Sequence, residues 1–320
     1  MAALAVISML KMLVNVSVRC KDDMVSSDKE KPLGICTFCD EEATGALPWS
    51  GAAVNTSCND LPVSNDDDGD GSVCVNLLRV KMLNVNGDLR VKLERPEFKN
   101  DFKNFDVIFY QETHLRPNEH ECIQVPDGFQ MFVKSRPGPK DLRRPWGGVI
   151  TFARTELNAS VRNDLSSTDI LSLEIQRCIL VNAYILPVNS TSWMDFTDVH
   201  PFEHLLRILI ATYSMSLPVL IMGDLNARTG ITQTNTAEPR SSSDTTTCGR
   251  GSRLIRELQS TGYSIVNGCM KLGPTADRAT SFHGSSTTVI DYALVNDLIR
   301  ERIQYFGIDS FDKDTSDHKA

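Results

Sequence analysis

The sequence predicts an α/β fold, a four-layered sandwich in which two packed mixed β-sheets are flanked by helices. Two observations point there. From Leu77 onward, short apolar runs recur between turn signals, and a few segments carry helical spacing instead. Many short strands with interspersed helices bury their apolar faces most simply as sheet on sheet with the helices outside. No segment repeats at a fixed period.

The elements follow in order. Val80–Val85 reads as a strand. Lys92–Phe105 reads as a helix after the Asn86-Gly87-Asp88 turn, and Asp106–Gln111 as a buried strand closed by a polar break. Gly147–Ala153, Ile170–Gln176 and Cys178–Ile185 read as three further strands. Phe202, Leu205, Leu206 and Leu209 share one helical face, so Pro201–Tyr213 is an amphipathic helix with proline in its first turn. Pro218–Met222 is a buried strand that ends in Gly223-Asp224. Arg253–Ser260 is a short helix stopped at Gly262, and Val289–Val295 and Ile303–Ile308 are late strands.

Residues 1–76 read differently, as an acidic, largely disordered leader and linker ahead of a folded domain at 77–320. The net charge of −8 sits mostly in this first segment, which holds 12 acids and 5 bases. The remainder is nearly neutral, so the acidic total weighs less against a phosphate-bearing ligand than it first suggests. Asp66, Asp68, Asp70 and Gly71 mimic the start of a calcium loop, but Leu77 stands where a bidentate Glu is needed. Cys36 and Cys39 form a lone pair without the second pair or the histidines of a zinc site. Nine scattered cysteines suit a reducing compartment. The apolar N-terminus is broken by Lys11 and lacks a leading basic residue, so it does not read as a secretion signal. No uncharged apolar stretch is long enough to suggest a membrane span.

Chemistry-bearing residues gather where apolar runs end. They are Asn84-Val85-Asn86-Gly87, Gln111-Glu112-Thr113-His114, Tyr184, Gly223-Asp224-Leu225-Asn226, Ile290-Asp291-Tyr292 and Ser316-Asp317-His318. Any one is explicable as a turn or a surface pair. Six at the rims of strands point to a site that a sheet holds rigidly.

In this order the strings NVNG, QETHL, GDLNARTG, IDY and SDH resemble the endonuclease/exonuclease/phosphatase superfamily, and most of all the endonuclease domains of non-LTR retrotransposons. The resemblance implies a Mg²⁺-dependent phosphodiesterase, with Mn²⁺ as an alternative ion, that nicks DNA and leaves a 3′-hydroxyl. It implies metal-side oxygens from Glu112, Asp317, Asn86 and Asn84, a His318–Asp291 dyad, and Asp224 on the attacking water. It places Asn226 on a phosphate oxygen and Tyr184 as a donor to phosphate or leaving group. His114, Asn189 and Thr288 are secondary candidates for substrate contact. These residue types suit the reaction, which needs an activated water, a hard cation and donors for developing charge.

Lys134, Arg136, Lys140, Arg143 and Arg144 form a basic Pro/Gly-rich loop, read either as a solvated loop or as a phosphate-tracking edge. His200 and His204 read as structural or surface residues. By the same resemblance a final strand is expected shortly after His318, yet Ala320 follows two residues later, so the sheet is expected to lack its last strand and the activity to suffer. A reverse transcriptase in a parent polyprotein is an implied partner, and a monomer inside the cell, nuclear where the target is chromosomal, is the implied setting. A phosphatase or phospholipase of the same fold and a catalytically dead binding module are the competing readings.

Overall fold

The structure is a computed structural model that describes residues 6–9, 12–16, 78–136, 146–190, 194, 199–283, 286–309 and 318–319, with side chains omitted at 6–9, 12–16, 283 and 318–319. The calcium-like run at 66–71, Cys36 and Cys39, the basic residues Lys140, Arg143 and Arg144, and Asp317 lie outside the described residues.

The strands are β1 (Val6–Met9), β2 (Met12–Val16), β3 (Leu78–Asn84), β4 (Val107–Gln111), β5 (Phe129–Lys134), β6 (Val149–Arg154), β7 (Ser160–Val161), β8 (Ile170–Ile175) and β9 (Cys178–Tyr184). They continue as β10 (Val219–Asp224), β11 (Tyr263–Ile265), β12 (Ser281–His283), β13 (Ser286–Thr288), β14 (Asp291–Asn296), β15 (Ile303–Ile308) and β16 (His318–Lys319). The helices are α1 (Leu89–Lys92), α2 (Pro96–Asn104), α3 (Pro201–Tyr213), α4 (Gly249–Ser260) and α5 (Asp297–Arg300).

Two mixed six-stranded sheets dominate, with orders β15-β2-β3-β4-β6-β5 and β11-β14-β10-β9-β8-β7. Side-chain alternation along each strand sets the layers. Val80, Met82, Val107 and Phe109 from the first sheet meet Leu180, Leu220, Met222, Ala293 and Val295 from the second in one core. The alternate residues point outward. Leu83, Ile108, Tyr110 and Phe152 pack under Phe98 and Phe102 of α2. Ile179, Val181, Ile221 and Leu294 pack under Leu205 and Leu209 of α3 and Leu254 and Leu258 of α4. The four layers are therefore helix, sheet, sheet and helix, as expected. Strands covered on both faces explain why these segments read as continuous apolar runs.

The expected helix at 92–105 is shorter: α2 starts only at Pro96, and Lys92 instead ends α1. Pro96 has no N–H and forces the preceding residue to be extended, and Arg95 sits at φ −73°, ψ 145°. Helix α4 starts four residues earlier than its apolar spacing suggested, because Cys248 caps it, its Sγ accepting the Gly251 N–H at 3.3 Å. The segment read as leader also differs from expectation. Strand β2 lies between β3 and β15, antiparallel to both, so the sheet is closed at β3 by residues from the first sixteen. Strand β1 pairs with β12 and β16 in a small four-stranded sheet. Among the described residues, no helix is long and apolar enough to cross a membrane.

Gly223 allows strands β9 and β10 their close approach. A Cβ built there would stand 1.8 Å from the Ala183 carbonyl oxygen, a backbone atom that cannot step aside. Gly223→Ala should therefore destabilise the chain by about 1–3 kcal/mol or more through overpacking, seen as a lower urea midpoint at unchanged slope.

Candidate active site

Strand register builds the site. On the second sheet Asp224 pairs in register with Tyr184 of β9 and with Asp291 of β14, so three of the candidate side chains stand in one row across three strands. On the first sheet Asn84 at the end of β3 pairs with Gln111 at the end of β4, immediately before Glu112. Asn84, Gln111, Tyr184, Asp224 and Asp291 all have the strand parity of the residues that fill the inter-sheet core. The apolar core thus ends in a polar row, and the site is the mouth between the sheets.

Asn84 joins the two halves. Its Nδ2 donates to Glu112 Oε1 at 2.9 Å and to Asp224 Oδ2 at 3.1 Å, while its Oδ1 accepts the Asn86 N–H at 3.1 Å. In this orientation the amide orders the carboxylates rather than offering an oxygen to an ion. Asn226 N–H donates to Asp224 Oδ1 at 2.9 Å, and Asn226 Nδ2 donates to the Ile185 carbonyl at 2.8 Å. Asn86, Glu112, His114 and Asn226 all have positive φ. Such conformations in non-glycine residues cluster where function over-determines the backbone.

Burial sets the electrostatics. Asp224 is 3% exposed and Asp291 4%. Burial, the Asp291 charge and the Glu112 charge hold the Asp224 carboxyl well above the usual carboxylate range, against the stabilising Asn226 and Asn84 donors. Burial pushes Asp291 up to about 7, opposed by the Thr280 hydroxyl. Thr280 Oγ1 also accepts the Ile290 and Asp291 N–H groups at 3.0 and 3.1 Å. The Tyr184 phenol is pushed up by burial and then by the charges of Glu112 and Asp224, so it stays a neutral donor.

A supporting shell lies beneath. Gln111 Nε2 donates to Asn182 Oδ1 at 2.6 Å, tying the sheets together under the site, and Asn182 Nδ2 donates to the Ile150 carbonyl at 2.9 Å. Arg136 and Asp169, each 2% exposed, form a bidentate pair through Nε and Nη2 at 2.9 and 2.7 Å. Asp169 also accepts the Gly148 N–H at 2.9 Å, and its carbonyl takes the Tyr184 N–H at 2.8 Å. The carbonyls of Gly148 and Gly147 accept the N–H groups of Thr113 and His114 at 3.2 and 3.0 Å, which fixes the backbone after Glu112. Arg250, over the Phe202 ring, clamps the loops after Tyr184 and Asp224 by donating to the Leu186 and Asn226 carbonyls at 2.6 and 3.2 Å.

The structure thus brings Asn84, Asn86, Glu112, Tyr184, Asp224, Asn226 and Asp291 together. His114 joins them, with Nε2 3.3 Å from Glu112 Oε2 but not aligned for a hydrogen bond. Asn189 is exposed in the turn beyond Pro187. Thr288 ends β13, where its carbonyl takes the Thr280 N–H, and the hydroxyl beside Asp291 is that of Thr280. The backbone of His318 pairs with Ile7, and its side chain is outside the described set. Arg136 departs from the phosphate-edge reading of its loop, because its guanidinium is spent on Asp169 in the interior. His200 is structural: its Nδ1 caps α3 by accepting the Phe202 N–H at 3.0 Å.

The sequence profile of the Endonuclease/Exonuclease/phosphatase family matches residues 83–318, most of the chain. The chain belongs to this family. Among solved structures it is similar to the endonuclease domain of TRAS1, a telomere-specific non-LTR retrotransposon, at 16% identity over 70% of this chain and 87% of that one, with a TM-score of 0.45. It is also similar to an AP endonuclease from Archaeoglobus fulgidus (15%, 70% and 88%, 0.47) and to AP endonuclease LMAP from Leishmania major (18%, 67% and 77%, 0.46). Comparison with curated protein sequences finds no match. Members of the family are hydrolytic nucleases or phosphatases, generally dependent on a divalent metal.

The residues present fit such an ion. Among the described residues no three of His, Cys, Asp and Glu converge as a complete ligand set. A small hard cation that retains its waters needs only one or two carboxylates, and a cation beside Glu112 would offset the repulsion that raises the proton affinity of Asp224 and Asp291.

Two outcomes follow from this shell. Asp169→Asn leaves Arg136 buried without its counter-charge and should cost about 3–5 kcal/mol in urea unfolding. The raised carboxyls make the metal-free chain less stable as pH rises. Below pH 3.8 folded and unfolded chains both hold the Asp291 proton, and from there to about 7 only the folded chain does. Metal-free Tm should therefore fall over that window, and Asp291→Asn should flatten the fall and raise Tm at alkaline pH by roughly 5 °C.

Proposed function

We propose that this chain is a divalent-metal-dependent phosphodiesterase that nicks DNA and leaves a 3′-hydroxyl. The observation that carries the reading is the Asn84 amide shared between Glu112 and Asp224, with Asp291 in register beside them. It is an anionic cluster held too rigidly and too deeply for a solvated surface. A bound Mg²⁺ or Mn²⁺ supplies charge neutralisation at the phosphoryl oxygens. Glu112, oriented by Asn84, would hold it, with Asp317 and an oxygen of Asn86 as further donors.

The chain's own groups divide the remaining work. Asp224, with its raised affinity for a proton, orients the attacking water and takes its proton. Asn226 keeps one amide hydrogen on Ile185 and has the other for a phosphate oxygen. Tyr184, neutral at all working pH values, donates to the phosphate or the leaving oxygen. In this reading Asp291 orients His318, and the imidazole carries the second proton exchange. His114 and the clamped Arg250 flank the phosphate path. DNA as substrate is supported by the strings NVNG, QETHL and GDLNARTG, which resemble retroelement endonucleases. The 3′-hydroxyl would then serve a reverse transcriptase encoded alongside.

A plasmid-relaxation assay tests this. Supercoiled DNA should convert to open circles with Mg²⁺ and not with a chelator, and Asp224→Ala should lower the rate at least about a hundredfold, the scale of a lost general base. Release of phosphate from small phosphomonoesters without relaxation would replace the nuclease reading with the phosphatase one.

A further inference from the structure

Trp146 is 54% exposed although it is a large apolar ring. It stands at the rim of the site, edge-on to His114, with ring centroids 5.3 Å apart and planes at 74°. His114 is itself buried against Glu112. The backbone just after Trp146 is fixed: Gly147 and Gly148 both have positive φ, and both offer carbonyls to the Glu112 loop. Gly148 also donates to Asp169. A Cβ on Gly147 would meet Asp169 Oδ1 at 2.6 Å and Arg136 Cζ at 2.8 Å, so the chain passes directly over the buried ion pair. An indole is thus presented to solvent from a hydrogen-bonded support, against the histidine that touches Glu112.

We propose that Trp146 is a stacking platform for an unpaired or partly unstacked nucleobase of the bound strand. The inference rests on the DNA reading above and adds a base subsite to it. Every base has a π-face, so stacking on a rigid ring strengthens binding without selecting a sequence. Rigidity matters because no ordering cost is then left for the moment of binding. A protein partner would also cover an exposed indole, but contact with His114 beside Glu112 places this ring where the strand must run.

The test uses the full chain carrying Asp224→Ala, so that bound strands are not cut. Binding of a labelled single-stranded oligodeoxynucleotide is followed by anisotropy in Mg²⁺, beside an equal-length strand whose bases are replaced by abasic tetrahydrofuran units. Trp146 intact should favour the base-bearing strand. Trp146→Ala should weaken that strand about tenfold, within the range for one stacked base, and leave the abasic strand unchanged. Trp146→Phe should retain most of the preference. Equal weakening of both strands, or no change in either, overturns the base subsite while the DNA reading stands. Failure of the parent to bind either strand overturns the base subsite, and failure of the unsubstituted chain to relax supercoiled DNA overturns the DNA reading.

Discussion

One side-chain amide holds the two halves of this molecule's chemistry together. Asn84 closes β3 on the first sheet and donates to Glu112 from its own sheet and to Asp224 from the other. Without a neutral donor there, two buried carboxylates would face one another across the inter-sheet mouth and repel. With it, they sit close enough that the Glu112 charge raises the proton affinity of Asp224. A site assembled this way depends on the sheets keeping their spacing and register. That requirement explains the second buried amide pair beneath, Gln111 with Asn182, which ties the same two sheets one layer further in.

The supporting shell shows what this rigidity costs. Arg136 and Asp169 are both withdrawn from water, and an ion pair in that position roughly offsets its own desolvation rather than adding stability. Its return is positional. Asp169 touches the Gly148 N–H and the Tyr184 N–H, and the Gly147-Gly148 carbonyls fix the chain after Glu112. One buried pair therefore sets two functional residues on different sheets. Arg250 does the same for the loops after β9 and β10. The carboxylate cluster itself lowers stability at neutral pH, and it persists because an inter-sheet core from Val80 to Val295 lies directly behind it.

Most of this architecture was readable from spacing. Doubly covered strands announce themselves as apolar runs, and α3 agrees with its expected bounds because its apolar residues repeat at helical spacing. The site residues at strand ends were visible for the same reason, since a polar residue that ends an apolar run with core parity has to face the mouth. What escaped was non-local. Nothing in a local window marks Asp169 as the partner of Arg136, 33 residues earlier, or sets Thr280 beside Asp291 ahead of Thr288. Strand β2 was hidden by its position: its short apolar run is separated from the domain by the long acidic segment, and only its neighbours β3 and β15 give it a place. The misjudged helix 92–105 is the reverse case, a local rule overlooked, because Pro96 alone dictates the break.

The same contrast separates the two kinds of residue around the mouth. Asp224 and Asp291 stand where alternation along a strand puts them, and Glu112, at positive φ just after β4, meets Asp224 through the Asn84 amide. Trp146 follows no such alternation. It lies outside any strand and is turned toward water by a backbone that the Arg136–Asp169 pair and the Glu112 loop hold from behind. The indole is more than half exposed, whereas the Arg136–Asp169 pair beneath it is withdrawn from water. The constraint on that stretch is therefore directed outward. In the proposed reading the inner rim holds the reacting groups, and the outer rim, with an aromatic ring on the Glu112 side, is the surface the bound strand rests against.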